Sequence, residues 1–174
     1  MRISPLSSAE PSPNLLHWLR EQITPDDSVL DVGCGDKRYE DLGCRTVTSV
    51  DSWPKAQPDL ELNLEDEDLP FSPGAFHIVL LLDFLEHMTR PRGEVILSHA
   101  MTIASKSVIV LTPLPEFWTP NASPVEDPSS WWFGNEAARH RSVWSSDDFR
   151  TPPWTRVFLP GFDSYFLGIL GVNG

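Results

Sequence analysis

Apolar positions near the start of the chain recur at helical spacing. Leu15, Leu16, Leu19 and Ile23 fall on one face of residues 13–23, with Ser12 as an N-cap and Pro13 at the first helical position. Thr24-Pro25-Asp26-Asp27 stops that helix, and the pattern then shortens. Val29-Leu30-Asp31-Val32 is mostly apolar, Thr46-Val47-Thr48-Ser49-Val50-Asp51 reads as a second strand ending on an acid, and Leu60-Glu61-Leu62-Asn63-Leu64 alternates as an outer third. Two unbroken apolar runs, residues 78–82 and 108–111, have the character of parallel strands buried on both faces. Between them, Ile96, Ala100, Ile103 and Ala104 mark a helix over residues 91–104. Strands alternating with helical segments predict an α/β fold with a mostly parallel sheet.

Past residue 112 the texture changes. Prolines 113, 115, 120, 124 and 128, with no periodicity among them, precede Trp131-Trp132-Phe133 and predict a long irregular loop of the kind used by lids and binding segments. Ser145-Ser146-Asp147-Asp148 carries a capping box for a brief helix that Pro152-Pro153 ends. Residues 156–159 and 165–169, joined through Pro160-Gly161, predict a closing antiparallel hairpin. A chain of 174 residues fits one domain, with an N-terminal helix in 1–27, a core over 28–112, the loop over 113–145 and a C-terminal helix and hairpin over 146–174.

Charge narrows the partners. Thirteen Lys and Arg against 25 Asp and Glu give −12, and phosphate backbones reward the opposite sign, so nucleic acid is not an expected partner. The longest fully apolar run, residues 78–82, is far too short to span a bilayer. Cys34 and Cys44 lie in a chain that opens without an apolar leader segment, which points to the cytoplasm. Histidines 17, 77, 87, 99 and 140 form no CxxC, HxxxH or HExxH spacing, so no built-in metal site is expected.

The sharpest local signal is Val29-Leu30-Asp31-Val32-Gly33-Cys34-Gly35, followed by Asp51 at the end of the next strand. Glycines at a strand exit let backbone amides approach a ligand, and an acid about 20 residues on is placed to accept ribose hydroxyls. A nucleoside-containing ligand is implied. The dinucleotide fingerprint needs a third glycine where Arg38 stands, which disfavours NAD. S-adenosylmethionine, with no phosphate, an ammonium group and a sulfonium cation, suits Asp31 and an acidic pocket.

Here the chain resembles the class I S-adenosylmethionine-dependent methyltransferases, among their small type 11/12-like members. Residues 29–35 resemble the family's first motif, and Val50-Asp51 the acid ending its second strand. Leu69-Pro70-Phe71 with Ala75-Phe76-His77-Ile78-Val79 resembles the entry to strand four. Asp83-Phe84-Leu85-Glu86-His87-Met88-Thr89-Arg90-Pro91 resembles its exit, and residues 108–113 strand five. The resemblance implies a Rossmann-like, doubly wound, mostly parallel seven-stranded sheet. It implies Asp31 beside the methionine amino group, with backbone from Gly33, Cys34 and Gly35 at that end, and Asp51 on the ribose. Ser52 and Trp53 would pack near adenine, Glu65 and Asp66 would meet its edge, and His87 would contact the cofactor. Residues 36–42, a short charged stretch after the glycine turn, read as a short helix. Lys37 stands where many relatives have a third glycine, and the residues between Gly35 and Thr46 leave room for only a couple of helical turns, so one sheet face should be thinly covered.

Methyl transfer is an in-line displacement in which the protein aligns the partners and removes a proton where the acceptor requires it. Asp83, after strand four, and His140, after the long loop, are the candidate bases. The aromatics of residues 140–149, with Trp118, Trp131, Trp132 and Phe133, would wall a pocket for a small-molecule or glycan-like acceptor. The rival expectation is a non-catalytic methyltransferase-like module that binds a protein partner through its tryptophan-rich loop.

Overall fold

The computed structural model describes residues 13–120, 125–152 and 154–172. Ser12, expected as the first N-cap, lies outside them. Seven strands form one sheet: β1 (Ser28–Val32), β2 (Thr46–Asp51), β3 (Leu60–Glu61), β4 (Phe76–Leu82), β5 (Ala104–Pro113), β6 (Thr155–Val157) and β7 (Tyr165–Gly171). Their order is β3-β2-β1-β4-β5-β7-β6. The first five run parallel, and β7 runs antiparallel to both β5 and β6.

The two-residue period of each central strand sorts its side chains onto opposite faces. Leu30, Val32, Val79, Leu81, Val108 and Val110 pack with Ile96, Leu97, Ala100 and Ile103 of α2 (Arg90–Ile103). Val29, Ile78, Leu80, Ile109 and Leu111 meet Leu15, Leu19 and Ile23, the apolar stripe of α1 (Pro13–Gln22) and the residue just beyond it. The sheet is therefore wound on both sides, as expected, with one α-helix on each among the described residues. Removing a side chain such as Leu80, which is fully buried, costs about 2–5 kcal/mol.

Three expectations change in detail. Residues 36–42 form turns, not a short helix: Lys37 and Gly43 have positive φ, and Arg38 folds back onto Asp36 at 2.8 and 2.9 Å instead of extending along a helix face. Tyr39 and Leu42 from those turns cover the face that a helix would otherwise cover. The third strand ends at Glu61, because Asn63 gathers a local turn in which its side chain accepts from the Glu65 amide and donates to Asp66. The final hairpin holds, but its first strand lies at Thr155–Val157 and its second runs on to Gly171.

Past Pro113 the described residues run irregularly over the carboxyl ends of the strands, with a 3-10 turn at Glu136–Ala138. It re-enters the core at Trp144, whose Nε1 donates to the Leu85 carbonyl and the Ser142 hydroxyl at 3.1 and 2.8 Å. Gly93 makes that possible, since a Cβ there would lie 2.6 Å from the indole. The expected capping box forms: Ser145 and Asp148 satisfy each other's backbone amides around the 3-10 helix Ser146–Phe149. No described helix is long and apolar enough to cross a membrane.

Candidate functional site

The carboxyl ends of β1, β2 and β4 open into a cavity of about 490 Å³, the position where open α/β sheets receive ligands. Its floor is the turn after β1. Gly33 takes φ +75°, and a Cβ there would meet the Phe84 ring at 2.4 Å, so only glycine fits. The Gly33 and Cys34 amides both donate to the Val50 carbonyl, at 2.8 and 3.1 Å. Asp51 is fixed from two sides: its carboxylate accepts from the Gly35 amide at 2.9 Å and from the Trp53 amide at 2.8 Å. A carboxylate has about four acceptor sites, so these bonds leave capacity for an incoming hydroxyl.

Of the residues expected around a cofactor, Gly33, Asp51, Ser52, Trp53, Glu65, Asp66 and His87 line the cavity, while Asp31, Cys34 and Gly35 lie behind the turn and do not. Glu65 has a second occupation. Its carboxylate accepts from the Thr89 amide at 3.1 Å and from the Thr89 hydroxyl, pinning the start of α2, and Arg141 approaches it at 3.8 Å. Asp83 lines the cavity and His140 does not; His140 instead packs edge-on against the cavity residue His87, ring centroids 5.0 Å apart.

The expected aromatic wall divides. Trp132 lines the cavity, its ring reaching within 2.9 Å of where a Gly35 Cβ would stand. Trp131 packs on Trp53 at 5.1 Å, and Lys55 ties the two segments by donating to the Trp131 carbonyl at 2.8 Å beneath both rings. Trp118 lies beside His140, Phe133 is half exposed, and Trp144 and Phe149 belong to the core. Sequence reasoning missed Asn63, Asn135 and Arg141, which also line the cavity; they sit in irregular segments whose spacing carries no signal.

Burial sets the ionisation states. Asp31 is buried without a facing hydrogen-bond donor, and burial, reinforced by the Asp51 charge, pushes its carboxyl up to about 7 although Arg38 pulls the other way. Burial likewise lifts Asp83 to about 6 against the pull of Arg38. It raises the Cys34 thiol to about 12, which makes that sulfur inert. Burial lowers His87 to about 3, helped by the neighbouring His140, and lowers His140 to about 4. Both imidazoles are neutral at physiological pH. Asp83 also adopts φ +50°, a left-handed conformation uncommon outside glycine and aspartate-type residues.

The strand order, with its single reversed strand β7, is that of the class I S-adenosylmethionine-dependent methyltransferase fold and departs from the 3-2-1-4-5-6 order of dinucleotide-binding domains. Solved structures agree on the fold. Magnesium protoporphyrin IX methyltransferase from Synechocystis PCC 6803, solved with bound S-adenosylhomocysteine, superposes with a TM-score of 0.57 at 19% identity over 92% of this chain and 80% of that one. The Burkholderia thailandensis 1,6-didemethyltoxoflavin N1-methyltransferase gives 0.56 at 16% identity, covering 92% of this chain and 76% of its own. A Rhodobacter sphaeroides protein described as a candidate Zn-dependent alcohol dehydrogenase gives 0.63 at 15% identity, covering 92% and 90%. No family model and no curated protein sequence matches this chain.

Proposed function

We propose that this protein is an S-adenosylmethionine-dependent methyltransferase acting on a small-molecule or glycan-like acceptor. The observation that carries the reading is Asp51: a carboxylate at the end of β2, held by the Gly35 and Trp53 amides, with free acceptor sites facing a 490 Å³ cavity. The residues fit the cofactor. An acidic lining of Asp51, Glu65, Asp66 and Asp83 suits a cationic ligand, and Trp53 offers a flat face for adenine.

When bound, the cofactor supplies an activated methyl group on sulfur. The chain does the rest. Asp51 holds the ribose hydroxyls, Ser52, Trp53 and Asp66 frame the adenine with Glu65, and His87 flanks the far end. Asp31 answers the ammonium group through the turn of Gly33, Cys34 and Gly35. Between the two candidate bases the geometry favours Asp83, which lines the cavity and whose carboxyl, lifted to about 6, suits proton acceptance near neutral pH. His140, out of the cavity and lowered to about 4, is the weaker base.

The test is calorimetric titration with S-adenosylmethionine and S-adenosylhomocysteine, using wild type, Asp51→Ala and the isosteric Asp51→Asn, each checked by thermal melting. Micromolar binding by wild type that folded variants lose supports the reading. A folded wild type that binds neither ligand overturns it and leaves a partner-binding module.

A further inference from the structure

Glu86, His87 and His140 converge beside the cavity although 53 residues separate the last two. One ligand atom from each lies within 4.8 Å of the others. Each is oriented by contacts with the protein. The Thr112 hydroxyl donates to Glu86 Oε2 at 3.1 Å. The His87 ring stands against the backbone of Ala138 and Arg139, with Nδ1 3.4 Å from the Arg139 carbonyl. His140 is held against the Thr119 backbone, while its Nδ1 is buried with no hydrogen-bond partner.

We propose that Glu86, His87 and His140 form a binding site for a divalent transition-metal ion. Three observations lead there. Two imidazoles and one carboxylate make a mixed nitrogen and oxygen set that suits Zn²⁺, Co²⁺ or Mn²⁺ better than the all-oxygen preference of Ca²⁺. Glu86 is only 1% exposed, and its hydrogen bonds and ion pairs among the described residues include no Lys or Arg, so a bound cation would meet a buried carboxyl that no protein cation occupies. Orphaned buried polar atoms are rare, and a ligand to His140 Nδ1 accounts for this one. Because His87 also lines the cavity, an ion held here would meet an oxygen- or nitrogen-bearing molecule entering it.

The full chain, stripped with a chelator, is titrated with ZnCl₂ by calorimetry and with CoCl₂ by visible absorption. The expected result is one ion per chain and a ligand-field spectrum. Removal of an orienting partner typically weakens a metal site 10–100-fold, so loss of a ligand in His140→Ala or Glu86→Gln should weaken it at least about 100-fold. Imidazole NMR of wild type, which needs no variant, should show Zn²⁺ altering two of the five histidine rings. The proposal is overturned if wild type takes up no Zn²⁺ at about 0.1 mM, if folded variants bind as tightly as wild type, or if no imidazole signal moves. S-adenosylhomocysteine titrated into the same samples separates this result from the methyltransferase reading, since either ligand can bind without the other.

Discussion

Asp31→Asn should stabilise the protein at alkaline pH and do little at acid pH. Asp31 sits in the middle of β1, 3% exposed, among the charges of Asp51, Asp36 and Glu40, with Arg38 the only cation acting on it. Unfolded, it titrates near its ordinary 3.8; folded, near 7. Between those values the native state binds the extra proton, so the stability this group confers is full below pH 3.8 and is lost as pH rises to about 7. At about 1.4 kcal/mol per pH unit, the whole interval is worth roughly 4 kcal/mol, and the part between pH 5 and pH 8 about 2–3 kcal/mol. An asparagine has no such titration, so the difference between variant and wild type isolates it.

Urea unfolding of both proteins at pH 5 and pH 8 is the assay, with the same denaturant dependence required of each. The expected result is that the advantage of Asp31→Asn grows by about 2–3 kcal/mol from the lower pH to the higher. A difference that stays constant within about 0.5 kcal/mol would refute the reasoning, because it would mean that Asp31 is ionised in the folded protein at pH 5. If the proposed function holds, the same variant should bind S-adenosylmethionine more weakly, since Asp31 is the acid proposed to answer its ammonium group. A buried acid that lowers stability is worth keeping where a ligand repays it.

Other outcomes follow from single contacts. Gly33→Ala places a methyl 2.4 Å from Phe84 Cδ2 at φ +75° and should cost more than about 2 kcal/mol in urea unfolding. Gly93→Ala gains helix propensity of about 1 kcal/mol but drives a Cβ to 2.6 Å from Trp144, so a net loss is expected, and Trp144→Leu in the same chain should reduce it. Lys37→Gly relieves a left-handed φ of +57° and gives up only a surface pair with Glu40 at 3.2 Å, for a gain of about 0.5–1 kcal/mol in thermal melting. Burial works against the Asp27 charge, but Lys106 at 2.7 Å and the Thr24 amide hold its carboxyl below 3.8. Lys106→Met should therefore cost about 1 kcal/mol at neutral pH, a deficit that disappears as pH falls below 3.8.

The sheet was legible because its physics is local. Unbroken apolar runs at 78–82 and 108–111 leave no polar face to solvate, and they became the two-sided strands β4 and β5. Asp51 was legible because its place at a strand end, soon after a glycine turn, follows from chain geometry. Residues 36–42 misled, since a short charged stretch that follows a strand and a glycine turn reads as a short helix. The conflict lies in backbone angles, with Lys37 and Gly43 both left-handed, and hydrophobic spacing does not report angles. The metal-type cluster was invisible for a different reason. Glu86 and His87 share one 3-10 turn while His140 arrives at the end of an aperiodic loop, so no fixed spacing relates them.

That loop also joins what the sequence presents as separate ends of the site. Its tryptophan pair reaches the glycine-turn side, where Trp132 lies against Gly35 and Lys55 holds Trp131 to the turn after β2. Ala137 and Ala138 then line the cavity, and Arg139 and His140 touch His87. The segment ends in the core, where the Arg141 and Ser142 amides donate to the Glu86 carbonyl and Trp144 is sealed against α2. A ligand approaching Gly35, whose amide already donates to Asp51, meets the Trp132 ring, and the same stretch of chain carries His140 eight residues on. Trp144 fixes the far end of that stretch, so the glycine turn and the contact of His140 with His87 are bridged by one short length of backbone.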